Sequence, residues 1–287
     1  MKTSLVLEGG GMRGAYTAGC LSWLLENHIS FDAAYGISTG AVHLCSFLSE
    51  NEDYLYDLST NRIADKELVG IRSLLREGRF VGYEYLFNHI LPIEKHYDIS
   101  KAYASKTVAK IGIYDLEKGE TIFHKLTDMD KGNVMLKAAT SLPILGRVVE
   151  FEGHHYLDGG ISKMIPIEES VKDQNDLHLI ITTKPGDYVR QPAKAPIKAL
   201  IKMCYHKWPQ VSKDYNVRHI NYNDQIAIIK QLEQDHKALY IYPSVTIPVS
   251  RTSGDKENLR KLYQLGREDM EKRKDEILAM FKKGSAC

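Results

Sequence analysis

Ser38 stands between two glycines in the run Gly36-Ile37-Ser38-Thr39-Gly40. This is the G-x-S-x-G spacing, in which a serine occupies a sharp strand-to-helix turn and its hydroxyl projects into the open. The flanks suit that geometry: residues 31–35 predict a short strand and residues 41–48 a buried helix. A turn this tight brings backbone against the positions two residues either side, so Gly36 and Gly40 are needed there. A serine so presented is a nucleophile for acyl transfer, provided a base takes its proton and donors hold the oxyanion.

The run Gly9-Gly10-Gly11-Met12-Arg13-Gly14 can supply the donors. Three consecutive glycines let backbone N–H groups converge on one point, the following helix N-terminus adds positive potential, and Arg13 reinforces it. The same residues read literally as a dinucleotide fingerprint, Gly9-x-Gly11-x-x-Gly14, with Asp32 near the place of a ribose-binding acid. That acid belongs at the end of the second strand, whereas Asp32 stands at its beginning. For the base, two sources are open. One is a late histidine, His206, His219 or His236, as in a Ser-Asp-His triad, although a triad sheet places its nucleophile after several strands. The other is Asp158 in Tyr156-Leu157-Asp158-Gly159-Gly160, a short acid at the end of an apolar hairpin strand; an isolated Asp-Gly-Gly is otherwise an ordinary turn.

Residues 4–8 predict a buried strand, followed by the glycine loop and a helix carrying Ala15, Ala18, Leu21 and Leu25. Strand, glycine loop, helix, strand, tight turn, helix is the opening of an α/β fold with a parallel sheet. Residues 51–105 are mixed helix and loop without a motif. Residues 107–116 and 120–126 predict a hairpin, 148–151 and 154–157 a second, and 177–183 a further buried strand. Composition shifts at Lys184-Pro185-Gly186-Asp187, which divides the chain into a catalytic unit over 1–187 and a C-terminal extension over 188–287. The extension holds a helix over 220–234, a strand over 238–242 and an amphipathic helical tail over 255–281 that lays Leu259, Leu262, Tyr263, Met270, Ile277 and Phe281 on the core.

Bulk properties narrow the function classes. The chain has 287 residues, a formal charge of +1 and 43% hydrophobic residues, which gives no pull toward nucleic acid and ample material for a core. The N-terminal Met-Lys-Thr-Ser-Leu-Val-Leu-Glu meets an acid too early for a signal peptide, and no apolar run approaches the ~18 residues of a membrane span. Cys20, Cys45, Cys204 and Cys287 are scattered without a Cys-x-x-Cys pair, an arrangement that suits a reducing, cytoplasmic setting and not zinc or a disulfide framework.

Together, the glycine loop, the Ser38 elbow and Asp158-Gly159-Gly160 resemble, in order and spacing, the patatin-like phospholipases. The segment Ala138-Ala139-Thr140-Ser141-Leu142-Pro143 resembles a structural stretch of the same family, and the likeness covers about residues 3–183. It implies a three-layer α/β/α sheet with a Ser-Asp dyad. Ser38 is then the nucleophile, Asp158 the proton acceptor, and the backbone at Gly10 and Gly11 with Arg13 the oxyanion hole. No metal or cofactor is implied. The tail, through Tyr242-Pro243 and Leu262-Tyr263-Gln264-Leu265-Gly266, resembles the C-terminal extension of a bacterial subgroup and reads as a structural cover.

An aspartate is a weak base for an alcohol, but proton transfer concerted with attack and a pKa raised by burial make it workable. The expected activity is hydrolysis of a lipid or small carboxylic ester, the lipid part resting on the resemblance. A dinucleotide-binding protein and a catalytically silent binding protein stand as the alternatives. One further feature bears on partners. Over 196–208, Ile197, Leu200, Ile201, Cys204 and Trp208 share a helical face opposite Lys198, Lys202 and His206. Such a helix either buries its apolar face on the domain or rests on an anionic membrane surface.

Overall fold

The computed structural model describes residues 1–90, 99–128 and 134–284; residues 91–98 of the 51–105 segment and Cys287 lie outside the described residues. Eight strands form one sheet. Strand β1 (Thr3–Leu7) is fully buried and leads through the glycine loop into helix α1 (Gly14–Glu26). Strand β2 (Ala33–Ile37) then runs directly into Ser38 and helix α2 (Thr39–Leu48). The strand therefore begins two residues later than the sequence pattern predicts, because Asp32 is drawn out of it: its carboxylate accepts from the Thr3 amide at 2.7 Å and the Thr3 hydroxyl at 3.0 Å.

Short helices α3 (Glu52–Asp57), α4 (Ile71–Glu77), α5 (Tyr83–Tyr85) and α6 (Ile99–Tyr103) follow, with π-helical turns at Leu58–Arg62 and Leu86–Ile90. Both predicted hairpins form, β3 (Val108–Asp115) with β4 (Glu120–Lys125) and β5 (Val149–Phe151) with β6 (His154–Asp158), separated by α7 (Val134–Thr140). Helix α8 (Ile167–Lys172) and strand β7 (Leu177–Ile181) complete the first part.

Beyond residue 187 come α9 (Ala195–Cys204), α10 (Pro209–Gln234), β8 (Ala238–Ile241), α11 (Lys256–Lys272) and α12 (Lys274–Gly284). The helix predicted over 220–234 thus begins eleven residues earlier, at a proline in the first helical turn, where its missing N–H costs nothing. The tail is two helices, broken at Arg273. Strand β8 pairs in parallel with β7, so the sheet runs through the composition shift at 184–187. The strand order is β5-β6-β3-β2-β1-β7-β8, with β4 on β3.

Alternation along the strands builds the three layers. On β1, Leu5 and Leu7 face the cluster formed with α1, α2 and α11, whereas Val6 faces Tyr222 and Ile226 of α10 on the other side. Helix α1 is sandwiched between the sheet and α11. The crossing is close because both sides lack a side chain: a Cβ on Gly19 would stand 1.9 Å from the Tyr263 carbonyl oxygen, and one on Gly266 would stand 2.3 Å from that of Tyr16.

The register brings two strand ends together. Residues Val108–Gly112 of β3 pair with β2, and Ile113–Asp115 pair with β6, while β4 occupies the opposite edge. Strands β2 and β6 therefore share one edge of β3, end to end. Ile37 lies opposite Gly112 and Asp158 opposite Ile113. Topology thus delivers the residue after Ile37 and the last residue of β6 to one place.

Candidate active site

Ser38 is the residue between β2 and α2, with φ 56° and ψ −125° and 8% of its surface exposed. A non-glycine residue held at this positive φ is strained, and such strain gathers at functional turns. The flanking glycines are required by crowding. A Cβ on Gly36 would meet the Ala41 backbone at 2.8 Å, and one on Gly40 the Leu7 carbonyl oxygen at 2.8 Å. Helix α2 begins immediately after Ser38, so the positive end of its dipole lies at the serine, whose carbonyl accepts from the Ala41 amide at 2.9 Å.

The glycine loop lies against this turn. A Cβ on Gly9 would come within 2.9 Å of the Ser38 Cβ, and the Thr39 hydroxyl donates to the Gly11 carbonyl at 3.2 Å. The Gly9 amide donates to the Met164 carbonyl and the Met12 amide to the Arg251 carbonyl, at 3.1 and 2.9 Å. Among the described residues the amides of Gly10 and Gly11 carry no such backbone bond. Gly11 has φ +58°, and a Cβ there would overlap the Arg251 carbonyl oxygen at 2.3 Å, so only glycine fits beneath that segment.

Asp158 ends β6 and is 1% exposed. Its amide donates to the Ser141 carbonyl at 2.9 Å, and its Oδ1 accepts from the Gly160 amide at 2.7 Å. Among the described residues Oδ2 is buried with no hydrogen-bond partner. Burial pushes the Asp158 carboxyl above its ordinary value, opposed by the Ser38 hydroxyl, the Gly160 amide and the charges of Arg218 and Arg251. Among the described residues no standard hydrogen bond joins the Ser38 hydroxyl to the Asp158 carboxylate, although the hydroxyl is near enough to oppose the rise. Gly159 is forced to be glycine, since its Cβ would lie 2.5 Å from the Gly112 carbonyl oxygen.

Two clefts meet at Ser38. One is walled by apolar side chains such as Met12, Leu58, Leu68, Val81 and Leu86, and reaches Gly11, Ser38 and Arg251. The other is narrower and is lined by Gly9–Gly11, Ser38, Asp158 and four arginines, Arg13, Arg190, Arg218 and Arg251. A family model of patatin-like phospholipases matches residues 5–171, more than half of the chain. The chain belongs to the patatin-like phospholipase family.

A second model, for a domain of unknown function (DUF6363), matches residues 208–282 of this patatin-like phospholipase. Among curated proteins, it is 22% identical over 281 residues to the uncharacterized protein YjjU of Escherichia coli (strain K12), covering 93% of this chain and 75% of that protein. It is 24% identical over 237 residues to the probable lipid hydrolase 463L of Invertebrate iridescent virus 6, covering 77% of this chain and 78% of that one. The crystal structure of VipD from Legionella pneumophila shares the fold, with a TM-score of 0.53 at 12% identity, over 96% of this chain and 67% of that one.

Within this patatin-like phospholipase, the rival assignments separate in space. Asp32 lies at the N-terminal end of β2, about 17 Å of strand away from the glycine loop, and is held by Thr3. His206, His219 and His236 line neither cleft. Among the described residues, the histidine that does is His43, which sequence reasoning missed; burial pushes it down to about 4, leaving a neutral imidazole in the wall of the apolar cleft. One trio has ligand atoms close enough for a cation, Asp115, Glu117 and His154. Its members line neither cleft and hold the β3 turn instead, with Asp115 accepting from the Lys118 amide at 2.9 Å.

The 138–143 stretch does more than brace the fold, since the Ser141 carbonyl holds Asp158 and Leu142 lines both clefts. Arg190, Arg218 and Arg251 were also missed. They are isolated in sequence and reach the site only because the loop after β7, helix α10 and the loop after β8 fold back onto it.

Proposed function

We propose that this patatin-like phospholipase is a lipid acyl hydrolase that uses Ser38 as nucleophile and Asp158 as its proton acceptor. The observation that carries the reading is the position of Ser38: a strained elbow residue at the junction of an apolar cleft and a buried carboxylate. An acyl chain occupies the apolar cleft, which places the scissile carbonyl over Ser38. Asp158 takes the hydroxyl proton as the oxygen attacks. The amides of Gly10 and Gly11, with Arg13 nearby, hold the developing oxyanion, and such donors are worth about 10²–10³ in rate each. The protonated aspartate returns its proton to the leaving alcohol, and water repeats the cycle on the acyl-enzyme. Residues 1–187 carry this chemistry, and 188–287 cover α1 and close the polar side of the site.

No helix among the described residues is long and apolar enough to cross a membrane. Contact with lipid is assigned to α9, which ends at Cys204, so that Trp208 of the 196–208 face stands instead at the start of α10. Ile201 and Tyr205 anchor it, whereas Ile197, Leu200 and Met203 are 41%, 36% and 66% exposed, beside Lys194, Lys198 and Lys202. A cationic helix with an uncovered apolar edge suits peripheral binding to an anionic cytoplasmic membrane face.

The test is direct. A fluorophosphonate probe labels Ser38, and Ser38→Ala abolishes both labelling and turnover of p-nitrophenyl esters. Labelling elsewhere, or turnover that survives the substitution, rejects the assignment.

A further inference from the structure

Ser38 has a polar neighbour on the side away from the apolar cleft, and its charge is unbalanced. Arg13, Arg190, Arg218 and Arg251 all line the smaller cleft. Among the described residues none of the four is in an ion pair, whereas Arg62, Arg267 and Arg273 each hold a carboxylate at the surface. Two carboxylates lie near the four guanidinium groups. Glu8 is committed to the Thr183 amide and hydroxyl, and Asp158 serves as the base. Burial pushes both of these acids above their ordinary values, which weakens them as counter-charges. The arginines repel one another: burial first, then neighbouring guanidinium groups, lower Arg190 and Arg218, and both also lower Arg13, where the Glu8 charge opposes them.

The three that come from beyond the matched patatin region are braced. The Arg218 Nε donates to the Gly160 carbonyl, and its guanidinium lies 5.4 Å from the Tyr215 ring centre. Arg190 lies 5.5 Å from the Tyr222 ring centre, and its backbone amide donates to the Asn223 side chain at 3.0 Å. Arg251 is fixed by its carbonyl, which accepts from Met12. Like charges held together in a partly buried cleft destabilise the protein unless an anion joins them, and guanidinium forks suit phosphate oxygens.

We propose that Arg190, Arg218 and Arg251 form a subsite for the phosphate carried on the alcohol side of the scissile ester, so that the region beyond residue 187 selects lipids with an anionic headgroup over neutral glycerides. The inference rests on the acyl-hydrolase reading above, which fixes the acyl chain in the apolar cleft and leaves the alcohol half to the arginines.

The experiment compares two substrates with the same acyl chains in the same nonionic detergent micelles, dihexanoylphosphatidylglycerol and dihexanoylglycerol. The wild-type enzyme prefers the phospholipid. In Arg190→Gln and Arg251→Gln, the ratio of kcat/KM for phospholipid over glyceride falls about 10- to 100-fold, the worth of a charge-assisted contact. The loss lies mainly in KM, and Arg190→Lys recovers part of it. A merely structural role lowers both substrates together, so an unchanged ratio overturns the proposal. Inorganic phosphate is the second probe, as a competitive inhibitor of p-nitrophenyl butyrate turnover that is weaker in the variants. If the variants escape phosphate inhibition yet keep the lipid ratio, the cleft serves a free anion and the headgroup assignment falls. Wild-type turnover of p-nitrophenyl butyrate checks the dyad separately: with it intact, an unchanged ratio removes the subsite alone, and without it the acyl-hydrolase reading fails first.

Discussion

Replacing Asp158 by asparagine separates chemistry from scaffold. The amide oxygen of asparagine can still accept from the Gly160 amide, now 2.7 Å from Oδ1, and the backbone bond to Ser141 is untouched. What disappears is the proton acceptor at Oδ2, which has no hydrogen-bond partner among the described residues. Loss of a positioned general base costs about 10²–10⁴ in rate, so kcat for p-nitrophenyl butyrate should fall by roughly 10³. Stability should hold or rise. Burial raises the folded-state pKa of Asp158, so the folded protein binds this proton more tightly than the unfolded chain does. Its ionisation therefore costs stability as pH rises from the unfolded value through the folded one, and asparagine removes that cost. The wild-type rate should rise with pH through a value above the ordinary carboxylate range, because the base acts only when ionised. The residual rate of Asp158→Asn should lack that limb. The assay is a pH profile of kcat with a melting curve for each protein. A kcat within about threefold of wild type refutes the dyad, as does a loss that merely follows a fall in melting temperature. The same profile for His206→Ala and His236→Ala should match wild type.

Three further outcomes follow from the packing. Gly266→Ala places a Cβ against the Tyr16 carbonyl oxygen, forcing α11 off α1, and should cost about 1–3 kcal/mol, read as a melting temperature several degrees lower. Leu68→Trp fills part of the apolar cleft, so kcat/KM for p-nitrophenyl dodecanoate should drop about tenfold or more relative to the butyrate ester, read from a chain-length series. Lys198→Glu with Lys202→Glu should weaken sedimentation with anionic vesicles while leaving zwitterionic vesicles unaffected; unchanged binding to both removes α9 from the membrane contact.

The legible parts of this chain were those in which backbone geometry dictates residue type locally. An elbow that needs glycine two residues either side of a serine, a loop that passes under another segment, and a strand end followed by paired glycines leave marks in consecutive positions. The hairpins and the amphipathic tail were legible through period 2 and period 3.6. The apolar cleft was not, because its wall between residues 58 and 86 includes π-helical turns that break helical spacing. The start of β2 was misplaced because Phe31 looks like strand, while Asp32 leaves the strand to bond Thr3. Arg190, Arg218 and Arg251 had no local signature at all. Their meaning arises from β8 pairing in parallel with β7 and from α10 crossing the sheet, which are facts of topology.

The bond between the Met12 amide and the Arg251 carbonyl has a consequence for how the enzyme is made. A ribosome that has synthesised residue 160 has already delivered the glycine loop, the serine and the aspartate. At that moment the loop still lacks the acceptor for Met12, the sheet lacks its last two strands, β7 and β8, and the cationic side of the cleft is missing three of its four arginines. On the reading proposed above, a nascent chain of that length carries Ser38 and Asp158 without an assembled site, and competence arrives only as residues 188–284 fold back onto the glycine loop and the cleft.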